Sequence, residues 1–228
     1  MNILNLPKEA LFSLFLQIEP EEIKTVFFSK NKKVREICNS KYFQETYKHK
    51  YRHVDLSHKF DLTTKNFKSL KGVYFVNLAF SNVNDKDLKY LRGVSKIDLY
   101  GTQVTDAGMK YLIGVSKIDL RQTKVSDNGL KYLSGVSDIN LAWSKVTDTG
   151  LQHLSGVSTI CLLCTSVTDE GMKYLSGVSD IDLSWTRVTD IGITHLSGVR
   201  KIRIWKTGVT DAGIDYLCST GTLDIINE

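Results

Sequence analysis

Cys161 and Cys164 are separated by two residues, and Asp98 and Asp119 hold carboxylates at matching points of two similar segments. The first pair has the spacing of a redox or metal-binding dithiol, the second the makings of a cation site or an acid–base pair. Neither survives its surroundings. A redox dithiol wants a helix N-terminus and a structural metal wants further ligands, whereas Cys161-Leu162-Leu163-Cys164 straddles a predicted strand and has no second CxxC. Asp98 and Asp119 share their column with Asn77, Asn140, Asp182 and Asp224, and Lys96, Lys117 and Lys201 lie two places earlier. That pattern is a solvated strand face with interleaved charge. His153 and His195 stand where other segments have Tyr90, Tyr111, Tyr132, Tyr174 and Tyr216, as packing substitutes. No phosphate-cradling loop, zinc-helix motif or nucleophile elbow is present. The chain is expected to be no enzyme and to need no metal or cofactor.

What positions these residues is a repeat. Gly72, Gly93, Gly114, Gly135, Gly156, Gly177 and Gly198 each open a unit of 21 residues with the consensus GVSxIxLxxTxVTDxGLxYLS. A fixed period in the twenties specifies a solenoid. Alternation through Ile97-Asp98-Leu99 predicts a short strand with one buried face, and VTDAGMKYL predicts one or two turns of helix behind it. So short a unit leaves room only for tight turns, and successive strands must stack in parallel.

The motif LxxLxLxxTxV followed by TDxGL resembles the leucine-rich repeat. The resemblance implies an α/β solenoid over residues 50–228: an atypical cap at 50–71, repeats at 72–218 and a C-terminal cap strand at 219–228. Counting His53–Leu56 and Thr222–Ile225, about nine parallel strands are expected. At the tenth place the family usually has Asn or Cys; here Ser81, Thr102, Thr123, Ser144, Thr165, Thr186 and Thr207 form a hydroxyl column able to bond backbone groups of the turn.

Places that repeat are framework, including one aspartate per unit from Asp85 to Asp211, which suits a helix N-cap. Variation gathers at the eighth and ninth places, on the expected concave side, where Tyr100-Gly101 in one unit becomes Arg121-Gln122 in the next. All three tryptophans fall there. Tyr100, Arg121, Trp143, Leu163, Trp185 and Trp205 are the candidate substrate-binding residues, with Trp143, Trp185 and their neighbours forming an apolar patch, because Trp and Tyr dominate binding hot spots. The competing expectation is that ninth-place side chains only cover the turn beneath them.

Residues 1–49 lack the period. Pro7 and Pro20 each suit a helix start, and three apolar faces follow one another at helical spacing. Phe12 and Leu16 add apolar surface on the far side of the first helix, more than three short helices conceal. Leu6-Pro7-Lys8-Glu9-Ala10-Leu11, Leu14-Phe15 and Glu19-Pro20-Glu21-Glu22-Ile23 resemble an F-box, whose role is to dock the Skp-type adaptor of cullin–RING ubiquitin ligases. The resemblance implies adaptor contacts at Leu6, Pro7, Leu11, Phe15 and Ile23. It weakens after residue 28, where Lys32-Lys33-Val34-Arg35 replaces the family's frequent tryptophan. Together the two resemblances imply a substrate receptor of an SCF-type ligase. The alternative is a plain protein-interaction scaffold whose first helices cap the coil.

Composition sets limits around this. With 42% hydrophobic and 24% charged residues the chain has an ordinary globular balance. A net charge of +5 is too mild to argue for nucleic acid, and the Lys30–Arg35 run is read as solvated. Four cysteines at irregular spacing form no disulfide framework, and neither a signal peptide nor a membrane span is evident. The expected setting is cytoplasmic, possibly nuclear.

Overall fold

The computed structural model describes residues 52–222 and 224–227, together with Glu36. A unit boundary falls between His53 and Val54. The adaptor-contact residues Leu6, Pro7, Leu11, Phe15 and Ile23 lie outside the described residues.

Among the described residues, nine three-residue strands form one sheet in chain order: β1 (His53–Asp55), β2 (Phe75–Asn77), β3 (Lys96–Asp98), β4 (Lys117–Asp119), β5 (Asp138–Asn140), β6 (Thr159–Cys161), β7 (Asp180–Asp182), β8 (Lys201–Arg203) and β9 (Asp224–Ile226). From β2 to β9 every pairing is parallel. The central residue of each strand turns inward, so Ile97, Ile118, Ile139, Ile160, Ile181 and Ile202 stack at 0–2% exposure. The seventh-place Leu99, Leu120, Leu141, Leu162 and Leu183 are fully sealed, as are Val104, Val125, Val146, Val167 and Val188 on the far wall. Burying such a side chain contributes about 1.5–3 kcal/mol, and three rows of them run along the coil.

The strand ends after three residues because its last side chain ends it. Asn77, Asp98, Asp119, Asn140 and Asp182 each accept the backbone N–H two residues on, at 2.9–3.1 Å. These Asx turns make the sixth-place column structural, a correction to its reading as merely solvated. The ninth residue then enters the left-handed region: Phe80, Gln122, Trp143, Cys164, Trp185 and Lys206 have φ between 50° and 61°. Such geometry costs a non-glycine residue roughly 1–2 kcal/mol. It is held by the ladder, since Trp143 N–H donates to Leu163 O at 2.9 Å and Trp185 N–H to Trp205 O at 2.9 Å. Next, Thr102, Thr123, Thr165, Thr186 and Thr207 donate their hydroxyls to the carbonyl three residues back at 2.6–2.8 Å. The five threonines of the hydroxyl column thus bond within their own turns, whereas the buried Ser144 hydroxyl has no hydrogen-bond partner among the described residues.

The repeated aspartate is not the N-cap. Thr105, Ser126, Thr147, Thr168, Thr189 and Thr210 occupy that position, and the aspartate opens the helix proper, as in α1 (Asp106–Met109) and α2 (Asp127–Leu130). Its carboxylate reaches forward instead. Asp106 accepts the Ser126 N–H and the Ser126 hydroxyl, both at 2.7 Å, and the pattern recurs from Asp85 to Asp190. Each carboxylate therefore clamps the N-cap residue of the following coil. From Asp106 to Asp211, the glycine two residues after the aspartate makes room for the carboxylate of the preceding coil: a Cβ on Gly129 would stand 2.7 Å from Asp106 Oδ1 and 2.9 Å from Val125 Cγ1. Asp, Thr and Gly in TDxG form one inter-coil device.

The last strand departs from the period. Projection by 21 residues puts Leu223 opposite Ile202, but the pairing is Ile202 with Ile225, and Asp224 lies opposite Lys201 in place of the sixth position expected for it. The final helix lengthens to nine residues, Asp211–Ser219, and absorbs two extra residues; Gly221, at φ 91°, then serves as the turn glycine. A slip of two keeps the inward and outward faces unchanged, which is why the pattern did not betray it.

Candidate functional site

The fourth, sixth and eighth places of each coil face outward on the open sheet, and the ninth forms its rim. This is the surface on which the candidate residues meet. Tyr100 and Arg121 come together: the guanidinium lies over the Tyr100 ring at 4.3 Å and forks onto Asp119, with Nε 2.8 Å from Oδ2 and Nη2 2.7 Å from it. Phe80 packs on Tyr100 at 4.4 Å between centroids, and His58 stacks on Phe80 at 5.1 Å. Gly101 has no side chain for a direct reason: its Cβ would fall 2.5 Å from the Phe80 ring. One coil further on, the equivalent residue is Gln122, whose neighbour in the preceding coil is the side-chain-free Gly101, and it keeps the same left-handed conformation. The contrast between Tyr100-Gly101 and Arg121-Gln122 is therefore steric as well as chemical.

The tryptophans divide differently from the sequence expectation. Trp185 packs edge-to-face on Trp205 at 5.4 Å, whereas among the described residues no ring contacts Trp143. Trp143, Trp185 and Trp205 are exposed by 56%, 51% and 40%, so they do more than cover the turn. Leu163 is half-buried on the coil between Trp143 and Trp185.

A concavity of about 240 Å³ is lined by the residues of β5, β6 and β7 together with Arg203 of β8, with Asp138, Asn140, Thr159, Cys161, Asp180 and Asp182 as its outward members. Asp138, Thr159, Asp180 and Arg203 were not singled out from the sequence; the signal was there, because lysine at the fourth place of β3 and β4 gives way to aspartate in β5 and β7. Lys117 pairs with Asp138 at 2.6 Å and Arg200 with Asp180 at 3.2 Å. Lys117 thus compensates Asp138, and Arg121 answers the charge of Asp119.

Cys161 and Cys164 are free thiols. Burial pushes the Cys161 thiol up to about 11, with Asp182 adding to it, and burial raises Cys164 as well. A thiol held so far from ionisation is a poor nucleophile at neutral pH. Among the described residues no group of His, Cys, Asp and Glu could hold a metal, and no helix is long and apolar enough to cross a membrane.

Asp98 and Asp119 face each other across β3 and β4. Burial lifts the Asp98 carboxyl above its ordinary value and Asp119 adds to the lift, against the Tyr100 N–H and the Arg121 charge, which lower it. An acid whose folded pKa is raised penalises the native state above that pKa, and the penalty fades as pH falls below the unfolded value of 3.8. Asp98→Asn keeps the turn, since Asn77 and Asn140 make the same bond. It should stabilise the protein by about 0.5 kcal/mol at neutral pH, because a half-buried charge is no longer desolvated and its like-charge contact with Asp119 is relieved. In urea melts this gain should vanish in acid; a gain that persists there would refute the cause given.

No protein-family model matches the chain, and no curated protein matches it. Solved structures do. An internalin (inlF) from Listeria monocytogenes superimposes with a TM-score of 0.61 at 16% identity, covering 77% of this chain and 53% of that one. Internalin C2 (inlC2) from the same organism gives 0.61 at 18% identity, covering 76% and 80%. TLR13 in its complex with ssRNA13 gives 0.57 at 12% identity, covering 80% and 34%. This chain thus spans about half the length of the first of these proteins and a third of the last. At such identities the likeness is one of fold, and the fold is a leucine-rich-repeat solenoid.

Proposed function

We propose that this chain is a non-enzymatic recognition subunit. Its concave face holds a protein target, and its N-terminal segment docks the Skp-type adaptor of a cullin–RING ligase, so that other subunits transfer ubiquitin to the target. Such a role belongs in the cytoplasm or nucleus. The observation that carries the recognition half is the exposure of Trp143 and Trp185 on the ninth-place rim, in left-handed turns that glycine would occupy with less strain, and of Trp205 at the eighth place beside Trp185. Buried against a partner, each ring contributes a few kcal/mol. The docking half rests on Leu6-Pro7-Lys8-Glu9-Ala10-Leu11 and the surplus apolar residues Phe12 and Leu16.

The test is a pull-down with purified Skp-type adaptor, comparing the full chain with Leu11→Asp and Phe15→Asp. Capture by the wild type and a loss of about a hundredfold in each variant is expected, as a charge replaces a buried anchor. Equal capture by all three, or capture by none, rejects ligase docking. The fold likeness by itself favours a plainer reading, a protein-interaction scaffold without the ligase. There, deleting residues 1–49 collapses the coil, whereas a separate docking module leaves it folded.

A further inference from the structure

We infer that the helix side of the first four coils, residues 54–134, rests on an anionic membrane surface, with its lysines against lipid phosphates and Ile113 entering the headgroup layer. This face lies behind the sheet, so the inference stands apart from target recognition and from adaptor docking. No helix among the described residues is long and apolar enough to cross a membrane, and the contact inferred is peripheral.

The helical segments Thr64–Lys68, Leu88–Leu91, α1 and α2 pack one on the next in chain order. The eighteenth place of these coils holds Lys68, Lys89, Lys110 and Lys131. The first two coils widen the row, with Lys65 and Lys71 on either side of Lys68, and Lys86 and Arg92 on either side of Lys89. All eight are exposed, and among the described residues none forms an ion pair. The carboxylates of the same helical segments are engaged. Asp85, Asp106 and Asp127 clamp the next coil, and Asp87 accepts the Asn84 N–H at 3.2 Å. Asp61, also exposed, precedes the first helix. Lys89, Lys110 and Lys131 lie over Tyr90, Tyr111 and Tyr132 at 4.9–5.1 Å, and Arg92 lies over Tyr111 at 5.1 Å. Each ring steadies its cation without neutralising it.

The fold does not require these charges. Later coils put Gln152, Thr194 and Asp215 at the eighteenth place, and Lys173 there is paired with Glu170 at 3.2 Å. Four features favour a lipid surface over a nucleic acid. Six of the cations form a two-dimensional grid on two coils, whereas a nucleic acid presents its phosphates in lines. Seven of the eight are Lys, a point charge, in place of the Arg fork that grips a single phosphate. The tyrosine faces are covered by their own cations and offer no platform to a base. Ile113, 64% exposed, follows Lys110 and Tyr111 at the place that Arg92 holds one coil earlier. A headgroup layer takes up such a side chain, and a phosphodiester backbone does not.

Co-sedimentation of the full chain with vesicles tests this, comparing phosphatidylcholine alone with phosphatidylcholine carrying about one-third phosphatidylserine. Lys89→Gln/Lys110→Gln/Lys131→Gln is the informative variant, since Gln152 fills the same place in a folded coil. Ile113→Ser is the second, as Ser134 follows it in the next coil. Lys124→Gln/Lys145→Gln/Arg187→Gln is the control: it removes equal charge from exposed residues of the eleventh place, before each helix, where another coil has Ser166. The anionic vesicles should carry the chain down and the neutral ones should not. Each lysine near an anionic leaflet contributes about fivefold, so the triple variant should weaken binding by about a hundredfold. Ile113→Ser should weaken it by about fivefold, the control by less than about fivefold, and salt should release the chain. No binding, equal binding to neutral vesicles, or an equal effect of the control and the triple variant overturns the inference. So does tighter binding, per negative charge, of a fluorescein-labelled DNA duplex or of polyglutamate that the triple variant loses, which would assign the face to that partner.

Discussion

Gly129→Ala should destabilise the protein by about 2–3 kcal/mol, the cost of overpacking a tight site. Helix propensity alone argues the other way, because alanine is about 1 kcal/mol better than glycine inside a helix. The close approach decides. The new methyl group would stand 2.7 Å from Asp106 Oδ1, 2.9 Å from Val125 Cγ1 and 3.1 Å from Met109 Cγ. The carboxylate cannot simply swing away, since it is tied to the Ser126 N–H and hydroxyl at 2.7 Å each. Either those bonds break or the two coils separate. Urea denaturation with an unchanged slope would measure the loss, equivalent to roughly 4–12 °C in melting temperature for a domain of this size. A neutral or stabilised Gly129→Ala would show that propensity governs the position and that the clamp yields freely.

Asp106→Ala should cost a similar amount, about 2–3 kcal/mol, because two hydrogen bonds to a carboxylate are lost and the Ser126 N–H is left half-buried. Asp106→Asn should cost less, since its amide oxygen still accepts that N–H. The two sites are predicted to couple. Removing the carboxylate removes the nearest obstacle to a methyl group on Gly129, so the double variant should be less destabilised than the sum of the singles by about 1 kcal/mol or more. Strict additivity would mean that Asp106 and Gly129 act independently. A related clamp bears on pH: the Thr210 hydroxyl and N–H hold the Asp190 carboxyl below its ordinary value. What this bond adds is therefore present above the unfolded value of 3.8 and is lost as pH falls through the folded one.

Much of the coil was legible because a repeat overdetermines its own fold. Seven copies of an inward alternation require parallel strands, and Ile97, Ile118 and Ile139 could only stack. The same redundancy marked the aspartate and hydroxyl columns as framework, though it did not say what they bond. Asp106 looked like an N-cap because a carboxylate beside a helix start satisfies local N–H groups equally well on paper. Its actual partner, Ser126, lies 20 residues away, and only stacking of the coils brings the two together. The glycine of TDxG is explained by the same distance.

The candidate surface was less legible. Its column of varied residues was evident, and Trp143, Trp185 and Trp205 do stand exposed. Which rings touch depends on side-chain direction, and the left-handed ninth residue sets that direction; no local pattern announced it, because bulky residues there run against backbone preference. The grouping of Asp138 with Asp180 and Asp182 escaped because they come from two strands, β5 and β7, that only the sheet aligns. The sequence by itself determined the coil, its period, its inward face and the outward column where recognition is proposed, since these follow from alternation and repeat length. The tertiary structure alone decided the inter-coil clamps, the two-residue slip before β9 and the grouping of Asp138, Asp180 and Asp182. Those depend on contacts between residues about 20 or more apart, whose distances are set by how one coil rests on the next.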